Sequence, residues 1–415
     1  PCHAESGARP GNPRTDVHIE LDAIWTLLLA LATIELGKWL NRRLPWLEGS
    51  NIPPAVSAGL LVSLLLALLR AHGSLDLQLT TAPRDVLLLV FFACLGFAAH
   101  LGRLASAGRT ALVVCLAIVA AILLQNGAGV LVAQAFGAPP LLGLFMGSVS
   151  FLGGHGTATA WAASPQAGSL AGAFEVGIAS ATLGLIAGGL VAGPVAARLM
   201  ARSRASPPAS AAAQAPPSGP SLPPREAPFS SDRWLPCLIW VLLCLGAGAL
   251  LKDWVKHASG IDLPAFLTAM LVGVLLTNLA DLLRRPLDTA VTDLIGTVAL
   301  RVFLAIALLS LDWSALLAHL PMVLTAALVQ VGGVILVAVG LLYVLDGRDR
   351  DAAAAAGGFM GFALGAMPVG LAVMRRLNQH FGDTPRALLG ITLAASLFQD
   401  TANALLLTVA FRWLQ

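Results

Sequence analysis

Long apolar runs separated by short polar breaks constrain this chain more than any other feature of its sequence. Ten runs are long enough to cross roughly 30 Å of hydrocarbon as an α-helix. They lie approximately at residues 21–40, 53–69, 86–100, 111–135, 172–197, 234–251, 262–282, 290–310, 320–344 and 386–411. With 57% hydrophobic and 11% charged residues, the chain has more apolar surface than a water-soluble core of 415 residues can bury. The sequence therefore predicts an all-α integral membrane protein.

Two polar segments bound the predicted fold, and the net charge excludes nucleic acid as a partner. Residues 1–20 are polar and lack the charged-then-apolar pattern of a signal peptide, so we predict a disordered or extraneous segment there. Residues 201–233 are rich in Ala, Ser and Pro, a composition typical of a flexible linker. The net charge of +3 is too small to indicate nucleic acid, and the five cysteines show no metal-binding or disulfide spacing.

The two halves of the chain echo each other. Five apolar runs precede the linker, within residues 21–200, and five follow it, within residues 234–415. Pro53 opens the second run as Pro264 opens the seventh. Because each half has an odd number of spans, the second half must enter the membrane from the opposite side. The pattern therefore predicts two inverted repeats of five transmembrane helices each.

The distribution of basic residues predicts the orientation of these repeats. Seventeen of the 25 Lys and Arg residues fall in breaks on the same side of the membrane as the linker, and seven fall on the other side. By the positive-inside rule, the linker is cytoplasmic and both termini are periplasmic. The remaining basic residue, Arg301, lies within a span, where it could be a counter-ion for an anion or could extend to the membrane surface.

Each half also contains a glycine-rich segment that is too interrupted to span the membrane. Residues 140–162 include a Gly-Gly-His-Gly-Thr run at 153–157, and residues 353–374 precede the last span. Unpaired backbone at membrane depth is tolerated only where protein or a water-filled cavity covers it, so we predict a re-entrant hairpin in each half. Paired interruptions of this kind point to a transporter's central site, where half-helix ends can hold a carboxylate or a cation. Glycine pairs spaced by four in the fifth span indicate close helix packing instead.

Polar side chains within the spans are the second group of candidates. His155 could be a ligand donor, a proton-coupling group or a hydrogen-bonded spacer in the hairpin tip. Asp400 and Asn403 lie one helical turn apart and supply the hard oxygens that sodium prefers. Glu175 could instead offset the dipole at a helix start. Other buried polar candidates, for which interhelical hydrogen bonding is the alternative, are Gln125, Asn126, Ser148, Ser150, Thr182, Gln330 and Gln399.

Taken together, these residues resemble those of the bacterial sodium/glutamate symporter family from about Trp25 to Leu414. The most specific matches are Ile52-Pro53, Phe91-Phe92-Ala93, Leu95-Gly96, Gln125-Asn126, Ser150, residues 153–157, Trp161, Glu175-Val176, Ala181-Thr182, Gly184-Leu185, Gly188-Gly189, Gly193-Pro194, Leu364-Gly365-Ala366, Pro368, Asp400 and Asn403. The resemblance implies an elevator-type secondary transporter that imports L-glutamate, or a closely related acidic amino acid, with sodium across the inner membrane. It also implies a homodimer.

The resemblance further implies where the ligands bind. By motif position, it places substrate contacts at the two hairpin tips, at Ser150, Gly153, Gly154, His155, Gly156, Thr157, Gly365, Ala366, Met367 and Pro368. Sodium contacts or their support fall at Gln125, Glu175, Thr182, Asp400 and Asn403, with Asp400 and Asn403 as the Na⁺ ligand candidates. Na⁺ is then the coupling ion, and no other cofactor is implied.

The sequence departs from the family pattern at several positions. Met367 and Val369 stand where threonines are usual, and Phe359 and Met360 replace polar residues. Arg301 occupies a position that is usually small and uncharged. Fewer hydroxyl groups mean fewer side-chain contacts to a charged amino acid. A carrier of another small carboxylate or amino acid is therefore the alternative.

Two other classes of membrane protein compete with a carrier. A membrane enzyme would need a nucleophile or metal motif, and the sequence has neither a GxSxG elbow nor an HExxH pair, so we predict that the chain is not an enzyme. A channel would need rings of carbonyls or charges repeated by oligomer symmetry. Two opposed hairpins in one chain favour alternating access instead.

Overall fold

The computed structural model describes residues 18–44, 52–71, 76–102, 108–167, 170–203, 231–260, 262–284 and 288–414. Most of the predicted N-terminal segment and of the predicted linker lies outside these ranges. The helices are α1 Ala23–Arg43, α2 Pro54–Ala71, α3 Ala82–Phe97, α4 Gly108–Ala135, α5 Pro140–Phe145, α6 Gly154–Ala162, α7 Ala173–Arg202, α8 Ser231–Ser259, α9 Ala265–Leu282, α10 Thr289–Leu309, α11 Trp313–Leu336, α12 Arg350–Leu364, α13 Met367–Phe381, α14 Pro385–Ala394 and α15 Asp400–Leu414. Two π-helical segments, Val337–Tyr343 and Ala395–Gln399, continue α11 and join α14 to α15.

Within these ranges, nine helices are long and apolar enough to cross a membrane. They are α1, α2, α4, α7, α8, α9, α10, α11 with its π-helical extension, and α14 continued by α15. This finding confirms the prediction of a multi-pass, helical membrane protein. The remaining predicted run, 86–100, forms the 16-residue helix α3. At 1.5 Å per residue α3 is about 24 Å long, which is shorter than the hydrocarbon layer.

Two short strands were not predicted. Strand β1, His18–Leu21, pairs in parallel with strand β2, Asp76–Leu79, and Ile19 lies opposite Leu77. The prediction that residues 1–20 lie outside the fold was therefore wrong for its last three residues, and the fold is not purely α-helical. Four residues are too few to show a strand period within a polar segment. Strand β1 directly precedes α1, and strand β2 directly precedes α3.

The helices form two groups. The scaffold bundle consists of α1, α2, α3, α8, α9 and α10, which pack mainly on one another, with α3 against both α9 and α10. Close approach requires glycine here, because a Cβ at Gly96 would collide with the carbonyl oxygen of Met270. The core bundle consists of α4 to α7 and α11 to α15, including both interrupted segments. The scaffold bundle thus contains the first three predicted spans of each half of the chain, and the core bundle contains the elements that follow them in each half.

One direct connection between the two bundles is only three residues long. Residues 310–312 join α10 of the scaffold bundle to α11 of the core bundle. The Asp312 carboxylate accepts hydrogen bonds from the amides of Ser314 and Ala315 and so caps α11. The Trp313 indole donates to Ser63 Oγ on α2 at 3.1 Å, which fixes the start of α11 against the scaffold.

Three helix N-termini of the core bundle converge on three buried aspartates. Thr110 in the first turn of α4 donates to Asp346 at 2.9 Å. Asp349 accepts from the Ala352 amide at the start of α12. Asp351 accepts from the amide of Ala387 in the first turn of α14. Carboxylates at helix N-termini offset the positive end of the helix dipole, so the cluster stabilises this end of the core bundle.

One guanidinium balances much of the charge in this cluster. Arg386 donates to both oxygens of Asp349, at 2.8 and 2.7 Å, and lies 4.0 Å from Asp346. Burial raises the pKa of the Asp346 carboxyl, whereas Thr110 and Arg386 favour its charged form. The cluster is therefore sensitive to loss of its arginine.

We expect Arg386→Met to destabilise the core bundle. Removing the guanidinium leaves the Asp349 carboxylate buried with fewer partners, which costs about 1–3 kcal/mol in the free energy of unfolding. Thermal unfolding of the purified protein in detergent measures this as a lower Tm. Lys256→Met is the control, because Lys256 pairs with Asp262 at the exposed surface and its loss is expected to leave Tm unchanged. Equal Tm values for the two variants would contradict a structural role for the cluster.

Candidate functional site

The first interrupted segment is two short helices separated by turns. Helices α5 and α6 are joined by residues 146–153, which are almost entirely buried. Gly154 opens α6 with φ +70°, a left-handed conformation that L side chains rarely adopt. Gly153 precedes it and offers no capping side chain, so the first amides of α6 lack a side-chain acceptor.

The second interrupted segment has a similar form. Helix α12 ends at Leu364, Gly365 is neither helical nor extended (φ −142°, ψ −77°), Ala366 is extended, and α13 begins at Met367. Ala366 provides no side-chain cap for α13. Pro368 lies in the first turn of α13, where a missing N–H costs nothing.

The two interruptions meet. A Cβ on Gly154 would lie 3.6 Å from the carbonyl oxygen of Gly365. We call residues 153–157 and 365–368 the two tips. Each tip includes the N-terminal end of a helix without a side-chain cap. The Gly154 and Val369 amides bond to the carbonyl oxygens of Ser150 and Ala366, so the remaining first-turn amides and the helix dipole are what attract an anion. The pair therefore forms a candidate anion site that needs no fixed positive charge.

Helix α7 holds both tips. A Cβ on Gly184 would collide with the carbonyl oxygen of Leu364, and a Cβ on Gly188 would lie 3.2 Å from the carbonyl oxygen of Gly361 in the second segment. His155 Nε2 lies 3.0 Å from Thr182 Oγ1, which itself donates to the carbonyl oxygen of Ile178 at 2.8 Å. Because that hydroxyl proton is used, the imidazole Nε2–H is the donor to Thr182. His155 thus ties the first tip to α7.

The glycine pairs of α7 differ in role. Gly184 and Gly188 pack against the second interrupted segment, whereas a Cβ on Gly189 or Gly193 would meet no atom of the described residues within 4 Å. Close packing is thus confirmed for one pair and wrong for the other. Ser150 donates to the carbonyl oxygen of Phe145 at 2.6 Å and stabilises the turns of the first segment from within.

Four amide side chains surround the turns of the first segment, and we call them the amide collar. The Asn126 Oδ1 atom accepts from the backbone amide and the hydroxyl of Ser148. The other three donate to backbone carbonyl oxygens: Gln330 to Met146 at 2.8 Å, Gln399 to Leu152 at 2.8 Å and Asn403 to Ser148 at 3.1 Å. The collar thus fixes the irregular backbone of residues 146–152.

Gln125 connects the collar to the second segment. Its Nε2 donates to the carbonyl oxygen of Ala363 at 2.8 Å, and its backbone oxygen accepts from Gln330 at 2.8 Å. The side-chain oxygens of Gln125, Gln330, Gln399 and Asn403 are buried and have no donor within the described part of the chain. An unpaired buried acceptor costs about 1–3 kcal/mol. Such oxygens are suited to a hard cation.

Of the two acidic candidates, one lies beside the amide collar and the other lies away from the tips. Asp400 directly follows Gln399 and the π-helical segment and is half-buried, so it lies beside the collar. Glu175 lies in the first turn of α7, and its carboxylate accepts from the Asp312 amide at 3.3 Å, near the connection between the bundles. The structure therefore does not bring Glu175 to the tips.

Asn126, Gln330 and Gln399 were not predicted as site residues, although each is a polar residue within an apolar run of the sequence. A polar side chain within an apolar run is the sequence signal by which these three residues can be found. The departures at Phe359 and Met360 lie fully buried in the interior of the core bundle. These two side chains therefore contribute packing rather than ligand contacts.

A multi-pass helical fold in which two interrupted helices meet at a buried polar site is the architecture of a secondary transporter. A profile of the sodium/glutamate symporter family matches residues 19–383. The chain is 32% identical to the sodium/glutamate symporter of Escherichia coli (strain K12) over 391 residues, which are 93% of this chain and 96% of that protein. It is 33% identical over 390 residues to the sodium/glutamate symporter of Haemophilus influenzae, with the same coverage.

The chain belongs to the sodium/glutamate symporter family. The family resemblance seen in the sequence is therefore confirmed. So is the expectation of a transporter rather than an enzyme.

Proposed function

We propose that this protein is a sodium-coupled symporter that carries L-glutamate, or a closely related acidic amino acid, across the membrane. The observation that carries the proposal is the contact between the tips, where Gly154 approaches the Gly365 carbonyl oxygen and two uncapped helix N-termini converge. An acidic amino acid carries two carboxylates, and free amides at helix N-termini bind carboxylates well. Relatives at 32% and 33% identity bear the name sodium/glutamate symporter.

We assign substrate contact to the tips. The backbone amides that follow Gly154 in the first turn of α6, with the Met367 amide at the start of α13, bind a carboxylate. Pro368 has no N–H, and the Val369 amide already bonds to the Ala366 carbonyl oxygen. His155 and Thr157 line the first tip. Half-buried Met367 and exposed Pro368 line the second. Ser150 supports the first segment from behind rather than touching substrate, since its hydroxyl bonds to Phe145.

Sodium binds beside the first segment in this proposal. The unpaired oxygens of Gln125 and Asn403, with those of Gln330 and Gln399, supply neutral hard ligands. The Asp400 carboxylate supplies a negative charge next to them. Because Gln125 and Gln330 also bond to the two segments, an ion bound there would stabilise both tips together.

We further propose the inverted-repeat arrangement with two re-entrant hairpins. Gln125 in the fourth predicted span bonds to the second segment, and Gln330 in the ninth bonds to the first. This exchange between halves is expected of two repeats related by a pseudo-two-fold axis. The division into scaffold and core bundles supports an elevator-type movement. The proposed setting is a homodimer in the bacterial inner membrane, with a cytoplasmic linker and periplasmic termini.

The direct test is uptake by purified protein reconstituted in liposomes. We expect labelled glutamate to accumulate with an inward sodium gradient and not with an equal potassium gradient. Liposomes without protein are the control. Accumulation that ignores sodium would exclude sodium coupling, and conductance that does not saturate would indicate a channel.

Substrate identity is tested separately, because Met367 gives the second tip a side chain without a hydroxyl group. Unlabelled amino acids and dicarboxylates compete against the same uptake. Competition by glutamate and aspartate supports an acidic amino acid. If only another small carboxylate competes, the alternative carrier is correct while the fold and ion coupling remain.

A further inference from the structure

Arg301 is an unusual charge for its depth. It lies about 18 Å along the helix from the first residue of α10 and about 12 Å from the last. Its side chain is exposed. A charge at this depth is costly and typically functional. The uptake site proposed above does not use it.

The neighbours of Arg301 on α10 face the tips. Leu300 lies 3.2 Å from the position of a Cβ on Gly156, in the first tip. Leu304, three residues after Arg301, belongs to the same apolar cluster as Val369 and Ala366 at the second tip. Residues three and four apart share a helix face. Arg301 therefore lies on the scaffold beside the place where the tips meet.

The side chains just before Arg301 on this helix face are exposed, whereas those just after it are buried. Thr297 and Val298, four and three residues earlier, are exposed, whereas Leu304 and Ala305 are buried. Long helical side chains point back toward the N-terminus, so the guanidinium extends along the open stretch. Arg301 is thus at the edge of the packed contact between scaffold and core.

No carboxylate in the described part of the chain forms an ion pair with Arg301. Along α10 the nearest acid is Asp293, two turns away at about 12 Å. The guanidinium keeps all five donors available, in a planar fork that matches a carboxylate. A guanidinium without an ion-pair partner that lies beside an anion site is suited to bind a carboxylate held there.

We propose that Arg301 is a specificity-determining residue that binds a carboxylate of the acidic substrate from the scaffold side. This inference rests on the proposed function. The tip amides hold one carboxylate, and Arg301 binds the other in a bidentate pair. A neutral amino acid lacks the second carboxylate and gains nothing from Arg301. The residue thus selects acidic over neutral substrates.

The test compares Arg301→Gln and Arg301→Lys with the unaltered protein in proteoliposomes. The KM of glutamate and the inhibition constant of glutamine are measured under a sodium gradient. We expect Arg301→Gln to raise the KM of glutamate about tenfold, the loss of a charge-assisted pair, and to leave glutamine inhibition unchanged. Arg301→Lys is expected to be intermediate, because ammonium keeps the charge but not the fork.

Two controls keep the result interpretable. Arg412→Gln, near the end of α15, removes a basic residue away from the tips and should leave both constants unchanged. Gel filtration and Tm show whether each variant is folded, and exposed Arg301 is expected to have little effect on either. Unchanged glutamate KM in a folded Arg301→Gln protein, or equal shifts for glutamate and glutamine, would overturn the inference. Absence of glutamate transport by the unaltered protein would instead refute the proposed function.

Discussion

Replacement of Gly154 by valine is expected to abolish sodium-driven uptake while the protein still inserts in the membrane. Gly154 has φ +70°, where a β-branched residue is strained by about 1–2 kcal/mol. The added Cβ would lie 3.6 Å from the Gly365 carbonyl oxygen, and the two methyl groups would fill the space between the tips. Uptake of labelled glutamate in proteoliposomes measures the effect, and we expect no signal above empty liposomes.

Gly137→Val is the matched control for this variant. Gly137 has φ +69° and no atom within 4 Å of a Cβ, so valine introduces the same backbone strain outside the tips. We expect similar loss of Tm in both variants but retained uptake in Gly137→Val. Uptake by Gly154→Val at the rate of the control would show that the tips do not hold the substrate.

Asn403→Leu is expected to weaken sodium binding by at least about tenfold. The substitution removes an unpaired buried oxygen and the donor to the Ser148 carbonyl oxygen, which bonds at 3.1 Å. The Ser148 carbonyl oxygen keeps its hydrogen bond from the Gly153 amide at 2.9 Å, so the expected loss comes from the missing ligand oxygen. Loss of one polar contact costs about 1–3 kcal/mol, and every tenfold change in affinity is about 1.4 kcal/mol. The sodium concentration that gives half-maximal uptake measures the change, at saturating glutamate.

Asn278→Leu separates ion binding from simple loss of a buried amide. Asn278 on α9 donates to the Ala99 carbonyl oxygen at 2.8 Å and accepts from the Leu101 amide at 2.9 Å, within the scaffold bundle. Its loss is expected to lower Tm without changing the sodium requirement. If Asn403→Leu lowers Tm and leaves half-maximal sodium unchanged, the collar is structural and sodium binds elsewhere.

The features that were predicted from the sequence are those with a long pattern or a strong local signal. Hydropathy over about twenty residues identified the spans, and the Gly-Gly-His-Gly-Thr run identified the first tip. The glycine run locates the first tip because Gly154 has a left-handed backbone conformation, which favours glycine. Asp400 and Asn403 were selected because oxygen-bearing side chains are rare in apolar helices, and their role as sodium ligands stays a prediction.

What the sequence could not supply is the pairing of distant residues. Gln330 donates to both Met146 and Gln125, across about 200 residues of chain, and no local pattern records such bonds. The location of Glu175 at the connection to α11, rather than at the tips, likewise depends on how α7 packs. Strands β1 and β2 are each four residues long, which is too short for periodicity to register.

In the proposed elevator-type movement, the three-residue connection between α10 and α11 limits how far the core bundle can travel relative to the scaffold bundle. Three extended residues reach at most about 10 Å, and Asp312 already commits its side chain to capping α11. A linear displacement of the core bundle longer than about 10 Å would break the hydrogen bond between Trp313 at the start of α11 and Ser63 on α2. A larger excursion must therefore be a swing about this tether, with α11 acting as a lever that bends at its π-helical segment, Val337–Tyr343. Cargo at the tips would then follow an arc rather than a straight line.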